Sequence, residues 1–205
     1  MELQPRLIEV AAPRDAVATA LVLHGGASRR DRMMVSPTQL SVLRMIPIAK
    51  RVARAGGGRL AVFRLLNSRR GWDAHHTPVH DVRWALDQLA DRPGGALPTC
   101  LIGHSLGGRA AIFAAAEPAV RSAVALAPWI SPADAPAGLE GKRILIVHGS
   151  RDRIASPQRS AALARRLAAQ TDVEYVTVEG GKHAMLSHHR RFSDAAADFA
   201  TETLL

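Results

Sequence analysis

The sequence predicts an α/β fold built on a mainly parallel sheet of about six to seven strands with helices on both faces. Two observations carry this prediction. Short apolar runs alternate with helical patterns from end to end, with no repeat or low-complexity linker between them. Most of those runs are continuously apolar rather than alternating, as strands covered on both faces are. Strands are expected at Leu7 to Val10, Ala16 to Leu23, Leu60 to Leu65, Thr99 to Ile102, Ala123 to Leu126, Ile144 to Val147 and Val173 to Val178. Helices are expected near Gln39 to Ala55, Pro78 to Ala90, Leu106 to Ala116, Pro157 to Ala169 and His188 to Leu204. In the second, Val79, Val82, Leu86 and Leu89 recur at helical spacing; in the fourth, Ala161, Leu163, Leu167 and Ala168 do. Ser187 is the expected N-cap of the last helix, with His188 and His189 at its start. No helix is expected between the strand near Ala123 and that near Ile144. Right-handed crossovers then place function at the carboxyl ends of the strands.

With 205 residues, 47% of them hydrophobic and 22% charged, the chain has material for a substantial core, and residues 1–205 are expected to form one domain. No apolar run reaches the length of a membrane span. The start, Met1-Glu2-Leu3-Gln4-Pro5-Arg6, lacks the order of a secretory signal, so the expected location is cytoplasmic, with no membrane partner. A formal net charge of +9 raises nucleic-acid binding as a function. The basic residues argue against it, because they fall in scattered pairs and triplets such as Arg69-Arg70 and Arg165-Arg166, with little aromatic surface for stacking. Cys100 is the sole cysteine, which excludes an intrachain disulfide, and its apolar strand marks it as a core residue.

Residues 103 to 107 read Gly-His-Ser-Leu-Gly, directly after the apolar run Pro98-Thr99-Cys100-Leu101-Ile102 and before the Ala-rich helical stretch Gly108 to Ala114. A serine on such a strand-to-helix turn projects its hydroxyl clear of the sheet, and the flanking glycines leave room for neighbouring backbone. Ser105 is therefore the candidate nucleophile. It needs a base to take its proton and an acid to orient that base. Asp152 lies on the loop after Ile144-Leu145-Ile146-Val147, and His183 on the loop after the last strand. Glu179 and Asp134 are reserve acids. His104, inside the motif, should point away from the serine, while His24 and His148 should hydrogen-bond within their own loops. His75, His76 and His80 lack the carboxylate-rich spacing of a metal site, and Pro78 breaks their register.

The order Ser105, Asp152, His183, with Leu21-Val22-Leu23-His24-Gly25-Gly26 and His148-Gly149-Ser150-Arg151-Asp152, resembles the α/β-hydrolase superfamily over essentially the whole chain. The likeness is to its small lidless serine esterases and dienelactone-hydrolase-like members. It implies an α/β-hydrolase fold, here with no sizeable cap domain, since Pro128 to Lys142 is short; the sequence departs from the family in that few residues precede the strand that carries His24, so one of the usual leading strands is expected to be missing. It also implies an oxyanion hole formed by the backbone N–H groups of Gly26, or of Ala27 if the loop is shifted, and of Leu106. The implied activity is hydrolysis of small soluble carboxylic esters through an acyl-enzyme on Ser105, with no metal or organic cofactor. Thioesterase, lactonase, acyltransferase or perhydrolase chemistry shares the same triad, and a non-catalytic binder would share the fold. A histidine base must be neutral, so activity should fall in mild acid. Ala27, Met33, Trp129 and Met185 are the candidate pocket residues, with Met34 and Met45 nearby in sequence, and Arg29, Arg30 and Arg32 could attract an anionic substrate or simply be solvated.

Overall fold

The computed structural model describes residues 4–26 and 35–205. Seven strands form one sheet in the order β1-β3-β2-β4-β5-β6-β7. They are β1 (Arg6–Ala11), β2 (Ala18–Leu23), β3 (Leu60–Leu66), β4 (Thr99–His104), β5 (Val120–Leu126), β6 (Arg143–Gly149) and β7 (Asp172–Val178). Only β1 runs antiparallel, against β3. Among the described residues, a single strand, β1, precedes the one that leads to His24.

Because side chains alternate across a strand, each central strand feeds two cores. From β2, Leu21 and Leu23 enter one core while Ala18, Ala20 and Val22 enter the other; from β6, Ile144 and Ile146 oppose Leu145 and Val147 in the same way. Helices α3 (Thr77–Ala90), α4 (Leu106–Ala114) and α5 (Pro157–Leu167) cover the first core. Helices α2 (Met45–Ala55) and α6 (His189–Leu204) cover the second, where Phe192 is completely buried. The expected Gln39 to Ala55 helix is broken at Arg44 into a four-residue α1 (Leu40–Leu43) and α2, Pro47 falling in the first turn of α2, where it is tolerated. No helix interrupts residues 127 to 142 between β5 and β6, so no cap domain covers the carboxyl edge of the sheet.

Ser187 does not cap α6. The N-cap is His188, without a side-chain cap bond, because the Ser187 hydroxyl instead faces His188 Nδ1 at 3.1 Å. Cys100 is buried in the second core, where desolvation pushes its thiol pKa up to about 12. Among the described residues, no helix is long and apolar enough to cross a membrane. The edge strand β7 exposes Asp172 and Glu174 to the Arg143 guanidinium, which also reaches Glu202 of α6; such charges blunt an open edge. Phe192→Ala should remove about 3–5 kcal/mol of stability, read as a lower urea midpoint at unchanged slope.

Candidate active site

The parallel pairing of β2 with β4 sets Leu23 opposite Gly103, so the turns leaving these strands are neighbours. Ser105 occupies the turn between β4 and α4 with φ 56° and ψ −116°, a conformation costly for a residue bearing a Cβ. The surrounding backbone holds it there: Ser105 N–H donates to Leu126 O at 2.9 Å, and its own carbonyl accepts from Arg109 N–H and Trp129 N–H. A Cβ on Gly103 would overlap the Gly107 carbonyl, so strand and helix close on one another only through glycine.

The structure brings Ser105, His183 and Asp152 together. Ser105 Oγ lies 3.0 Å from His183 Nε2, and His183 Nδ1 lies 2.8 Å from Asp152 Oδ2. With the carboxylate accepting at Nδ1–H, the Nε2 lone pair faces the serine hydroxyl, the tautomer a base requires. Asp152 Oδ2 also accepts from His148 Nε2–H at 3.1 Å, and Oδ1 accepts from the N–H groups of Ile154 and Ala155 at 2.8 and 2.9 Å. Burial by itself would push the Asp152 carboxyl up, but these four donors outweigh it and hold the pKa well below the usual carboxylate range. The two loops are joined as well. Ser150 N–H donates to Val178 O and Arg151 N–H to Gly181 O, while the Ser150 hydroxyl links Glu179 and Gly180 N–H.

Both reserve acids are engaged elsewhere, Glu179 with Ser150 and Asp134 with Arg109. Neither Arg151 nor Arg153 pairs with Asp152. His104 makes no bond to the serine, yet it does not stand apart from the site. Its Nε2–H donates to the His183 carbonyl at 2.9 Å, and the two rings are 4.9 Å apart. Desolvation, with the neighbouring His183 and Arg44 charges, lowers its pKa to about 3. His24 donates from Nδ1 to Gly25 O within its loop, but its Nε2 accepts from Asn67 N–H beyond β3, tying the two strand ends together. Burial lowers its pKa to about 4. His148 is not confined to its own loop, since its Nδ1 faces the Ser160 hydroxyl of α5. No group of three His, Cys, Asp or Glu among the described residues is arranged to hold a metal; His76 instead stacks on Trp72 and Phe113.

Gly26 and Leu106 line one cavity of about 340 Å³ with Ser105 and His183. As the first residue of α4, Leu106 has no acceptor within the helix for its N–H. A side chain at Gly26 would overlap the Arg70 carbonyl, so the loop lies flat against its neighbour only as glycine. Trp129 lines the cavity with Trp72, Arg44 and Ile154. Met185 does not line it: it is 3% exposed and belongs with Met45 to the core under α2 and α6, where thioethers fill space between aliphatic chains. Ala27, Met33, Met34, Arg29, Arg30 and Arg32 lie outside the described residues. A second cavity of about 320 Å³, at the amino ends of β2 and β4, has no serine, cysteine or histidine in its lining.

Sequence reading missed the supporting groups. Arg109, one turn after Ser105, pairs with Asp134 and lies over the Trp72 ring at 3.9 Å and near Trp129 at 5.4 Å, bracing both cavity tryptophans. Its position in the first turns of an otherwise small-residue helix was the available signal.

The model of the alpha/beta hydrolase family matches residues 90–201. No curated protein matches the sequence. Among solved structures, a Xanthomonas campestris protein described as a member of the α/β serine hydrolases without lid aligns with TM-score 0.71 at 17% identity, over 98% of this chain and 89% of its own. Dienelactone hydrolase from Anabaena variabilis gives 0.66 at 21% identity, over 99% and 97%. Est1E from Butyrivibrio proteoclasticus, solved with ferulic acid bound, gives 0.69 at 16% identity, over 97% and 95%.

Two buried neutral histidines make stability depend on pH. Between pH 6.5 and about 4 the unfolded chain binds a proton at His24 that the folded protein refuses, and for His104 the window extends to about 3. More protons on the unfolded state means stability falls as pH drops through that window, by about 1.4 kcal/mol per pH unit for each histidine. Urea midpoints measured from pH 7 down to pH 4 should decline accordingly, and His104→Gln should flatten the decline; an unaltered slope contradicts the burial of a neutral ring.

Proposed function

Because the chain belongs to the α/β hydrolase family, we propose that it is a serine hydrolase cleaving carboxylic esters of small substrates through an acyl-enzyme on Ser105. The observation that carries this reading is the unbroken hydrogen-bond chain from Ser105 Oγ through His183 to a fully satisfied Asp152, opening on a cavity. Ser105 Oγ attacks the ester carbonyl carbon while His183 Nε2 takes the hydroxyl proton. The carbonyl oxygen becomes an oxyanion held by the N–H groups of Gly26 and Leu106, each contributing roughly 3 kcal/mol to the transition state. Collapse expels the alcohol, which receives the proton from His183. Water, deprotonated by the same nitrogen, then releases the acid and restores the serine. Asp152 keeps Nδ1–H in place and stabilises the imidazolium without itself taking the proton.

Pre-organisation supports the reading. The strained Ser105 backbone is a stability cost, and the convergence of four donors on Asp152 is a constraint, that a purely structural loop does not need. Gly26→Ala should lower kcat by about 100-fold or more through displacement of the donor loop.

A fluorophosphonate probe tests the proposal directly. The wild type should be labelled and Ser105→Ala should not; absence of labelling in both makes the chain a non-catalytic member of its family. Asp152→Asn should retain the fold and lose about 10³–10⁴-fold in kcat on a short-chain aryl ester. Near-normal turnover by His183→Ala would remove His183 from its role as base.

A further inference from the structure

Arg44 stands at the junction of α1 and α2, on the wall of the cavity that holds Ser105 and His183. Arg51, Arg83, Arg92, Arg109 and Arg143 each pair with a carboxylate. Arg44 pairs with none among the described residues, and its Nε, like those of Arg64, Arg70 and Arg109, is buried without a hydrogen-bond partner; of these four only Arg44 lines the cavity. Burial lowers its pKa with no neighbouring acid to offset it. Its charge is felt inside the site, where it helps keep His104 neutral. The described lining of the cavity contains no Asp or Glu, and Arg44 is its only Lys or Arg. A partly desolvated guanidinium on the wall of a cavity that offers it no counter-charge is a costly arrangement that an incoming anion offsets.

We propose that Arg44 is a carboxylate-binding subsite, and that the substrate is an ester carrying a free carboxylate on its acyl or alcohol portion. This rests on the reading of Ser105 as nucleophile. A planar guanidinium fork matches a carboxylate through two parallel N–H···O bonds, and one cation balances a monoanion; a phosphate dianion calls for more than one. Trp72 and Trp129 on the same cavity give apolar surface for the part of the substrate between the carboxylate and the scissile bond.

The test compares kcat/KM within two matched pairs: para-acetoxybenzoate against para-acetoxybenzamide, with the charge on the leaving group, and monophenyl adipate against its neutral ω-amide, with the charge on the acyl group. The wild type should favour the anionic member of at least one pair by about tenfold or more. Arg44→Gln should reduce that preference by about the same factor, and Arg44→Lys should restore part of it. Lys50→Ala, which removes the same charge from an exposed position on α2, should leave the preference intact. Benzoate should inhibit the wild type competitively, and more strongly than inorganic phosphate does. The subsite is overturned if the neutral esters are cleaved with no anionic preference, if the preference survives Arg44→Gln, if Lys50→Ala lowers it equally, or if phosphate is the stronger inhibitor. Failure of Ser105 to react with the fluorophosphonate and of every ester to be cleaved instead overturns the parent reading, and the subsite with it.

Discussion

Strands β2 and β4 are hydrogen-bonded parallel neighbours, and the turns that leave them must approach until the Gly26 loop and Ser105 face one small space. Main chain is the obstacle to that approach, because backbone atoms cannot swing aside as a side chain does. The chain meets the constraint by deleting Cβ atoms where main chains meet: Gly103 lies against Gly107, and Gly26 against the Arg70 carbonyl. Glycine loses more conformational freedom on folding than other residues, so each contact lowers stability. The cores on both faces of the sheet supply the compensation. Strand order, residue size and site geometry are here one problem with one solution.

Charge is managed with the same economy. Asp152 receives four donors and Arg109 meets Asp134 between tryptophans, whereas His24 and His104 are kept neutral by burial. In a low-dielectric interior a charge without partners is strongly disfavoured, so these groups are either paired or uncharged. Arg44, Arg64 and Arg70 each keep a buried Nε without a partner, and of the three only Arg44 stands on the cavity wall.

Most of the scaffold was legible in the sequence because the central strands are buried on both faces, and a continuous apolar run between turn residues has few other interpretations. The break at Arg44 was not legible, since Leu40, Val42, Met45 and Ile48 read as a single amphipathic stretch. Ser105, Asp152 and His183 could be named because each follows a strand within a glycine-marked turn. The groups that brace them leave no such mark. His148 and His104 lie inside strands, where alternation says which face a ring takes but not which atom it meets across the sheet. Met185, expected among the pocket residues from its place beside the strand ends, instead packs in the second core, at a residue with a positive φ of 59°.

The loops after β6 and β7 are stitched by Ser150, Arg151, Gly180 and Gly181 before Asp152 and His183 ever meet. Asp152 and His183 therefore stand on one stitched pair of loops, while Ser105 stands on a separate turn after β4, two strands away from β6. The seam of the site runs between Ser105 and His183. Two hydrogen bonds cross that seam, from His104 Nε2–H to the His183 carbonyl and between Ser105 Oγ and His183 Nε2, so backbone and ring of the histidine are both held against the serine's turn.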